Sequence, residues 1–144
     1  MRRAGIVLAL SLVCLSPALG EEARAALRGR WIATAGQGRT LGGTWSAAAL
    51  PGDPDAATGS WALLGPAGQV LLDGTWSARR SPPGWQGTWA ARTRQGALYS
   101  GTWRADARRV RGKTFEDLLR DAGAARLSGT WRSGRAHGNW WLLQ

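Results

Sequence analysis

Gly59-Ser60-Trp61-Ala62-Leu63-Leu64-Gly65-Pro66-Ala67-Gly68-Gln69-Val70-Leu71-Leu72-Asp73-Gly74-Thr75-Trp76 decides the fold of this chain. It carries two copies of a Gly-x-Trp triplet, separated by a Gly-Pro-Ala-Gly breaker suited to a turn. The triplet recurs in both directions, as Gly29-Arg30-Trp31, Gly43-Thr44-Trp45, Gly87-Thr88-Trp89, Gly101-Thr102-Trp103, Gly129-Thr130-Trp131 and Gly138-Asn139-Trp140. Successive Trp residues stand 14, 16, 15, 13, 14, 28 and 9 apart, so most units share one period and one interval is doubled. A period of about fourteen residues fits a strand of about eight or nine and a turn, and is too short for a helical hairpin.

Further breakers fall between the units: Gly36-Gln37-Gly38, Pro51-Gly52-Asp53-Pro54, Ser81-Pro82-Pro83-Gly84, Arg94-Gln95-Gly96, Ala105-Asp106-Ala107 and Ser133-Gly134. Connections this short permit antiparallel neighbours only, so the order is an up-and-down meander. Alternation assigns the two faces. In phase with Trp run Leu41, Ala47, Ala57, Leu63, Leu72, Ala78, Trp85, Ala91, Tyr99, Leu127 and Leu142. Out of phase run Arg28, Arg30, Arg92, Arg94, Arg104, Arg126, Arg132 and Arg135, with Thr or Ser beside nearly every Trp. The Trp face is therefore the apolar one and the other is wet.

Glycine inside a strand costs roughly 0.5 to 1 kcal/mol relative to Ala, so its presence in every unit needs a cause. A flat piece of backbone on which an indole can lie is one, and sharper bending of the sheet is another. About eight strands with one apolar face can close into a barrel whose interior holds side chains or one small ligand. Closure also removes exposed edges. An outer-membrane barrel would need an apolar outward band, where this chain has Thr, Ser and Arg.

The doubled interval holds something else. Thr114-Phe115-Glu116-Asp117 opens like a capping box, Leu118 and Leu119 follow, and Gly123 can end the turn, which predicts a short helix over Phe115–Ala122 covering one end of the sheet. The rival is a degenerate repeat with Phe115 at the Trp position. A short strand over Arg109–Lys113 is compatible with both.

The first twenty residues stand apart from this pattern. Arg2 and Arg3 precede an apolar run from Ile6 to Leu15, and Ala18-Leu19-Gly20 supplies small residues for cleavage, so residues 1–20 read as a secretory signal and 21–144 as one repeat domain. The run is short of the ~20 residues a spanning helix needs, although an uncleaved anchor is the rival. Ser11-Leu12-Val13 before Cys14 lacks the pattern of a lipidation signal. Cleavage would remove Cys14, the only cysteine, and leave no thiol or disulfide. The expected location is the periplasm or the extracellular space, with no transmembrane segment after cleavage.

The formal charge of +10 falls to +8 without Arg2 and Arg3, and it is lopsided. Residues 79–144 hold thirteen basic against four acidic side chains, whereas 21–78 hold four against five. Such a half favours anionic envelope polysaccharide or lipid, although eighteen Arg among nineteen basic residues also fits a G+C-rich coding bias. Nucleic acid is not expected, because Arg and Trp occupy opposite faces and leave no interleaved groove.

The repeated Gly-Thr-Trp strands, the secretory signal and the late Trp141-Leu142-Leu143 resemble the avidin and lipocalin barrels of the calycin group. The resemblance implies a closed antiparallel barrel with a ligand in its mouth. Avidin-like barrels hold biotin with inward Asn, Ser, Tyr, Thr and Asp beside Trp, and here Tyr99 and the Trp set are the counterparts, so biotin is not carried over.

Catalysis needs converging titratable groups, and the apolar face offers none. His137, the one histidine, lies out of phase beside a turn; zinc lacks ligands, Asp53 and Asp55 suit a turn better than calcium, and no cofactor is expected. Three non-enzymatic readings remain. The first is a barrel binding a small apolar or aromatic ligand through Trp45, Trp61, Trp76, Trp85, Trp89, Tyr99, Trp103 and Trp131. The second is a structural or envelope-interaction module whose indoles fill the interior, and the third an open Trp-faced sheet that stacks polysaccharide.

Overall fold

The computed structural model describes residues 27–143 apart from 83, 116 and 119–126. The expected signal segment 1–20, with Cys14, lies outside the described residues, as does Arg126. Eight antiparallel strands follow one another around a closed barrel: β1 (Leu27–Ala35), β2 (Arg39–Leu50), β3 (Asp53–Leu64), β4 (Val70–Ser81), β5 (Gly84–Thr93), β6 (Leu98–Ala105), β7 (Ser128–Ser133) and β8 (Ala136–Leu143). Closure is made by β1 against β8, where Arg30–Ala33 pair with Leu143–Trp140. The open sheet considered as an alternative does not form, and the out-of-phase Arg residues that the structure describes are all exposed, Arg28, Arg30, Arg92, Arg104 and Arg132 on the outer wall of the strands and Arg94 and Arg135 in turns.

The turns follow their residues. Pro51-Gly52 joins β2 to β3, with Gly52 at φ 77 as a type II turn demands after proline. The breaker is tighter than the sequence suggested, because Asp53 and Pro54 already belong to β3. Strands run from 6 to 12 residues rather than a uniform eight or nine, the longest being β2, β3 and β4.

Along each strand the inward positions run in the order flank, Gly, Trp, flank, the first flank of β7 being Leu127 just before the strand. Neighbouring strands run in opposite directions, so a Trp faces a Gly on one neighbour: Trp31 opposite Gly43, Trp61 opposite Gly74, Trp89 opposite Gly101 and Trp131 opposite Gly138. These four come from odd strands. Even strands supply Trp45, Trp76, Trp103 and Trp140, opposite Gly29, Gly59, Gly87 and Gly129. The repeat thus builds two layers, in each of which four indoles alternate with four glycines around the ring. Small residues between large ones let bulky rings share a narrow barrel.

The connection between β6 and β7 closes one end. Asp106 starts helix α1 (Ala107–Val110) by accepting the Arg108 N–H at 3.0 Å, and Gly112, at φ 75, turns the chain back. The strand expected over Arg109–Lys113 is therefore absent, since an Asx cap at Asp106 favours a helical turn there. Phe115, Asp117 and Leu118 are helical, and residues 116 and 119–122 of the expected helix lie outside the described residues. Thr114 and Asp117 cap each other: Thr114 Oγ1 accepts the Asp117 N–H at 3.1 Å, and Asp117 Oδ2 accepts the Thr114 N–H at 3.0 Å. Phe115 is not a degenerate repeat position; it enters the barrel end with Val110, Leu118 and Leu127, all buried with Ala47, Ala57, Ala78 and Trp85.

Candidate functional site

The layer nearer this plug holds Trp45, Trp76, Trp103 and Trp140, which pack against the buried cluster. Phe115 lies 6.0 Å from Trp76 and 5.3 Å from Trp85, centre to centre. The other layer, Trp31, Trp61, Trp89 and Trp131, lies toward the opposite end, bordered by Ala33, Leu41, Leu63, Leu72, Tyr99 and Ala136. Within each layer the rings meet edge to face: 5.8 Å for Trp31–Trp61, 5.6 Å for Trp61–Trp89, 6.0 Å for Trp76–Trp103 and 5.8 Å for Trp103–Trp140. Such contacts place the positive edge of one indole on the negative face of the next.

Glycine is required here by close approach. A Cβ on Gly43 would collide with the Ala62 carbonyl oxygen, on Gly59 with that of Ser46, on Gly87 with that of Ser77 and on Gly138 with that of Thr34. Those carbonyls are also where the indoles donate. Trp31 reaches across Gly43 to Ala62 O at 3.1 Å, Trp76 across Gly59 to Ser46 O at 3.0 Å, Trp103 across Gly87 to Ser77 O at 3.1 Å and Trp131 across Gly138 to Thr34 O at 2.9 Å. Trp45, Trp61 and Trp140 donate instead to the residue after the facing glycine, at Arg30, Thr75 and Thr130. Trp89 alone of the eight leaves its N–H, which is buried, without an acceptor. The N–H groups are spent on the wall, so what the rings show to the interior is hydrocarbon and π-surface.

That interior is not full. A cavity of about 380 Å³ runs between the two layers, floored by Phe115, Leu118 and Leu127 and open at the end carrying Tyr99. The reading in which the indoles fill the interior is not what the structure has: the eight ring-forming Trp residues are half-buried, and the buried cluster sits at the plug. Two layers of rigid rings cannot collapse onto one another when each is pinned to the wall, so space remains along the axis. Among the described residues, the polar side chains lining the cavity are Tyr99, 50 % exposed at the mouth, and Ser133, whose hydroxyl donates to Ser100 O.

The residues expected to contact a ligand, Trp45, Trp61, Trp76, Trp85, Trp89, Tyr99, Trp103 and Trp131, all line this one cavity. Trp85 does so as part of the floor, 1 % exposed, with its N–H on Lys113 O at 3.0 Å. Trp31 and Trp140 also line it, and the signal for them was present, since both stand in the same Gly-x-Trp phase. Phe115 and Leu118 were readable only as part of a helix covering one end of the sheet, not as lining of the space between the indoles. Elsewhere, His137 is exposed on the outer wall, and Asp53 and Asp55 form ion pairs with Arg79 and Arg80.

Comparison with known protein families, curated proteins and solved structures finds no match. The cavity itself carries the functional argument.

Proposed function

We propose that the chain is a non-enzymatic exported barrel that holds one small apolar or aromatic molecule between its indole layers. The observation behind this reading is a lined space of about 380 Å³, closed at one end, whose rings have committed nearly all their N–H groups elsewhere. That volume lies in the range of small-molecule pockets, which are mostly apolar with a few polar groups at the entrance. The cavity counts against the structural module with a filled interior. Export rests on the pattern of residues 1–20.

Binding of the neutral probe N-phenyl-1-naphthylamine tests the reading. It should quench indole emission and gain fluorescence, and Leu63→Trp, which fills the mouth from inside, should abolish the signal. The same change at Leu98, 78 % exposed on the outer wall, should leave it intact. Equal binding by both variants, or none by the parent, refutes the proposal.

A further inference from the structure

The two ends of the barrel differ in charge as well as in closure. Asp53, Asp55, Asp106 and Asp117 all belong to the plug end, where Arg79 and Arg80 face two of them. The mouth is formed by four loops, at residues 36–38, 65–69, 94–97 and 134–135. Three of these carry an exposed arginine in or directly beside the loop: Arg39, Arg94 and Arg135. The described acid nearest the mouth is Asp73, on the outer wall of β4 opposite Arg92 and in an external groove shared with Arg94.

Inside, among the described residues, no charged side chain lines the cavity, and the two polar side chains that do, Tyr99 and Ser133, stand at the mouth. A ligand with a polar group therefore has one favourable orientation. Its apolar part enters between the indoles, and its head stays at the mouth, because an unpaired polar group buried against the indoles would lose its water without gaining a partner. The arginines there select the sign of that head.

We propose that the ligand is an anionic amphiphile, with its chain between the Trp layers and its carboxylate or phosphate among Arg39, Arg94 and Arg135. This inference rests on the cavity-binding reading above and adds the head group's charge and orientation. Interaction with exposed guanidinium groups is screened by salt, so the selectivity should shrink as ionic strength rises while chain binding persists.

The test is displacement of N-phenyl-1-naphthylamine from the full chain by dodecanoate, dodecyl phosphate, dodecanol and dodecyltrimethylammonium, each below its micellar concentration. Both anions should displace the probe at concentrations about tenfold or more below dodecanol, with the cation weakest. The triple variant Arg39→Gln, Arg94→Gln, Arg135→Gln should lose that preference and keep the affinity for dodecanol. Residues 1–26 are common to parent and variant, so they cancel in the comparison. Equal displacement by all four compounds, a preference surviving in the triple variant, or the cation ranking first as an aromatic cage would rank it, overturns the proposal. If the probe binds but no dodecyl compound displaces it, this inference alone fails; if the probe does not bind, the cavity-binding reading fails first.

Discussion

The plug half and the mouth half of this barrel are built from the same triplet, yet they have different physical characters. Around Trp45, Trp76, Trp103 and Trp140 the 106–127 connection brings Phe115, Val110, Leu118 and Leu127 into contact, and the contiguous buried core lies there. Around Trp31, Trp61, Trp89 and Trp131 none of the described residues is brought in to fill the space between the rings. One repeat therefore supplies walls at both ends, and a single insertion decides which end is foundation and which is vessel.

The largest effect should follow from removing a ring at the floor. Trp85 is buried against Phe115 and its N–H is committed to Lys113 O, so Trp85→Ala should cost about 3–5 kcal/mol in denaturant unfolding. Tyr99→Ala, at the mouth and half-exposed, should cost less than about 1 kcal/mol. Comparable losses at the two sites would break the contrast between the halves.

Much of this was legible beforehand, and particular residues show why. Gly74-Thr75-Trp76 fixes strand, phase and inward face at once, because a period of two admits one orientation for a half-buried strand. The cavity lining followed from the same phase, which is why Trp45, Trp61, Trp89 and Trp103 were readable as inward-facing from the sequence. Two things were not legible. The layering depends on which glycine faces which indole, a matter of register between strands, and register is a tertiary property. The cavity depends on rings being held at the wall by N–H bonds to carbonyls as much as two strands away, as in Trp131 to Thr34, and no local pattern announces such a bond. The plug was half legible: Thr114 and Asp117 announced a cap, whereas Asp106 was read only as part of a turn.

A smaller effect should show what the two halves share. Gly43 belongs to the mouth layer and Gly87 to the plug layer, and a Cβ on either would strike a carbonyl oxygen of the neighbouring backbone. Alanine at each should cost about 1–3 kcal/mol, by the overpacking that forces backbone apart. Near-equal costs, measured by chemical denaturation, place the glycine requirement in the wall. A cost at Gly87 alone would place it in the core and dissolve the account of a common wall.

The smallest contrast lies within the mouth layer and separates the hydrogen-bonded indoles from the orphan. Trp131→Phe removes the N–H that reaches Thr34 O at 2.9 Å and leaves that carbonyl short of one partner. Trp89→Phe removes an N–H that has no acceptor, so it relieves an unpaired buried donor. Both changes shed the same atoms from rings in the same layer, and the common loss of apolar surface cancels in the difference. Trp131→Phe should then be the more destabilising by about 1 kcal/mol or more, read as the gap between the two unfolding midpoints at equal m-value. The reverse order would mean that indole N–H bonds do not hold the mouth rings in place, and the cavity between the layers would need another explanation.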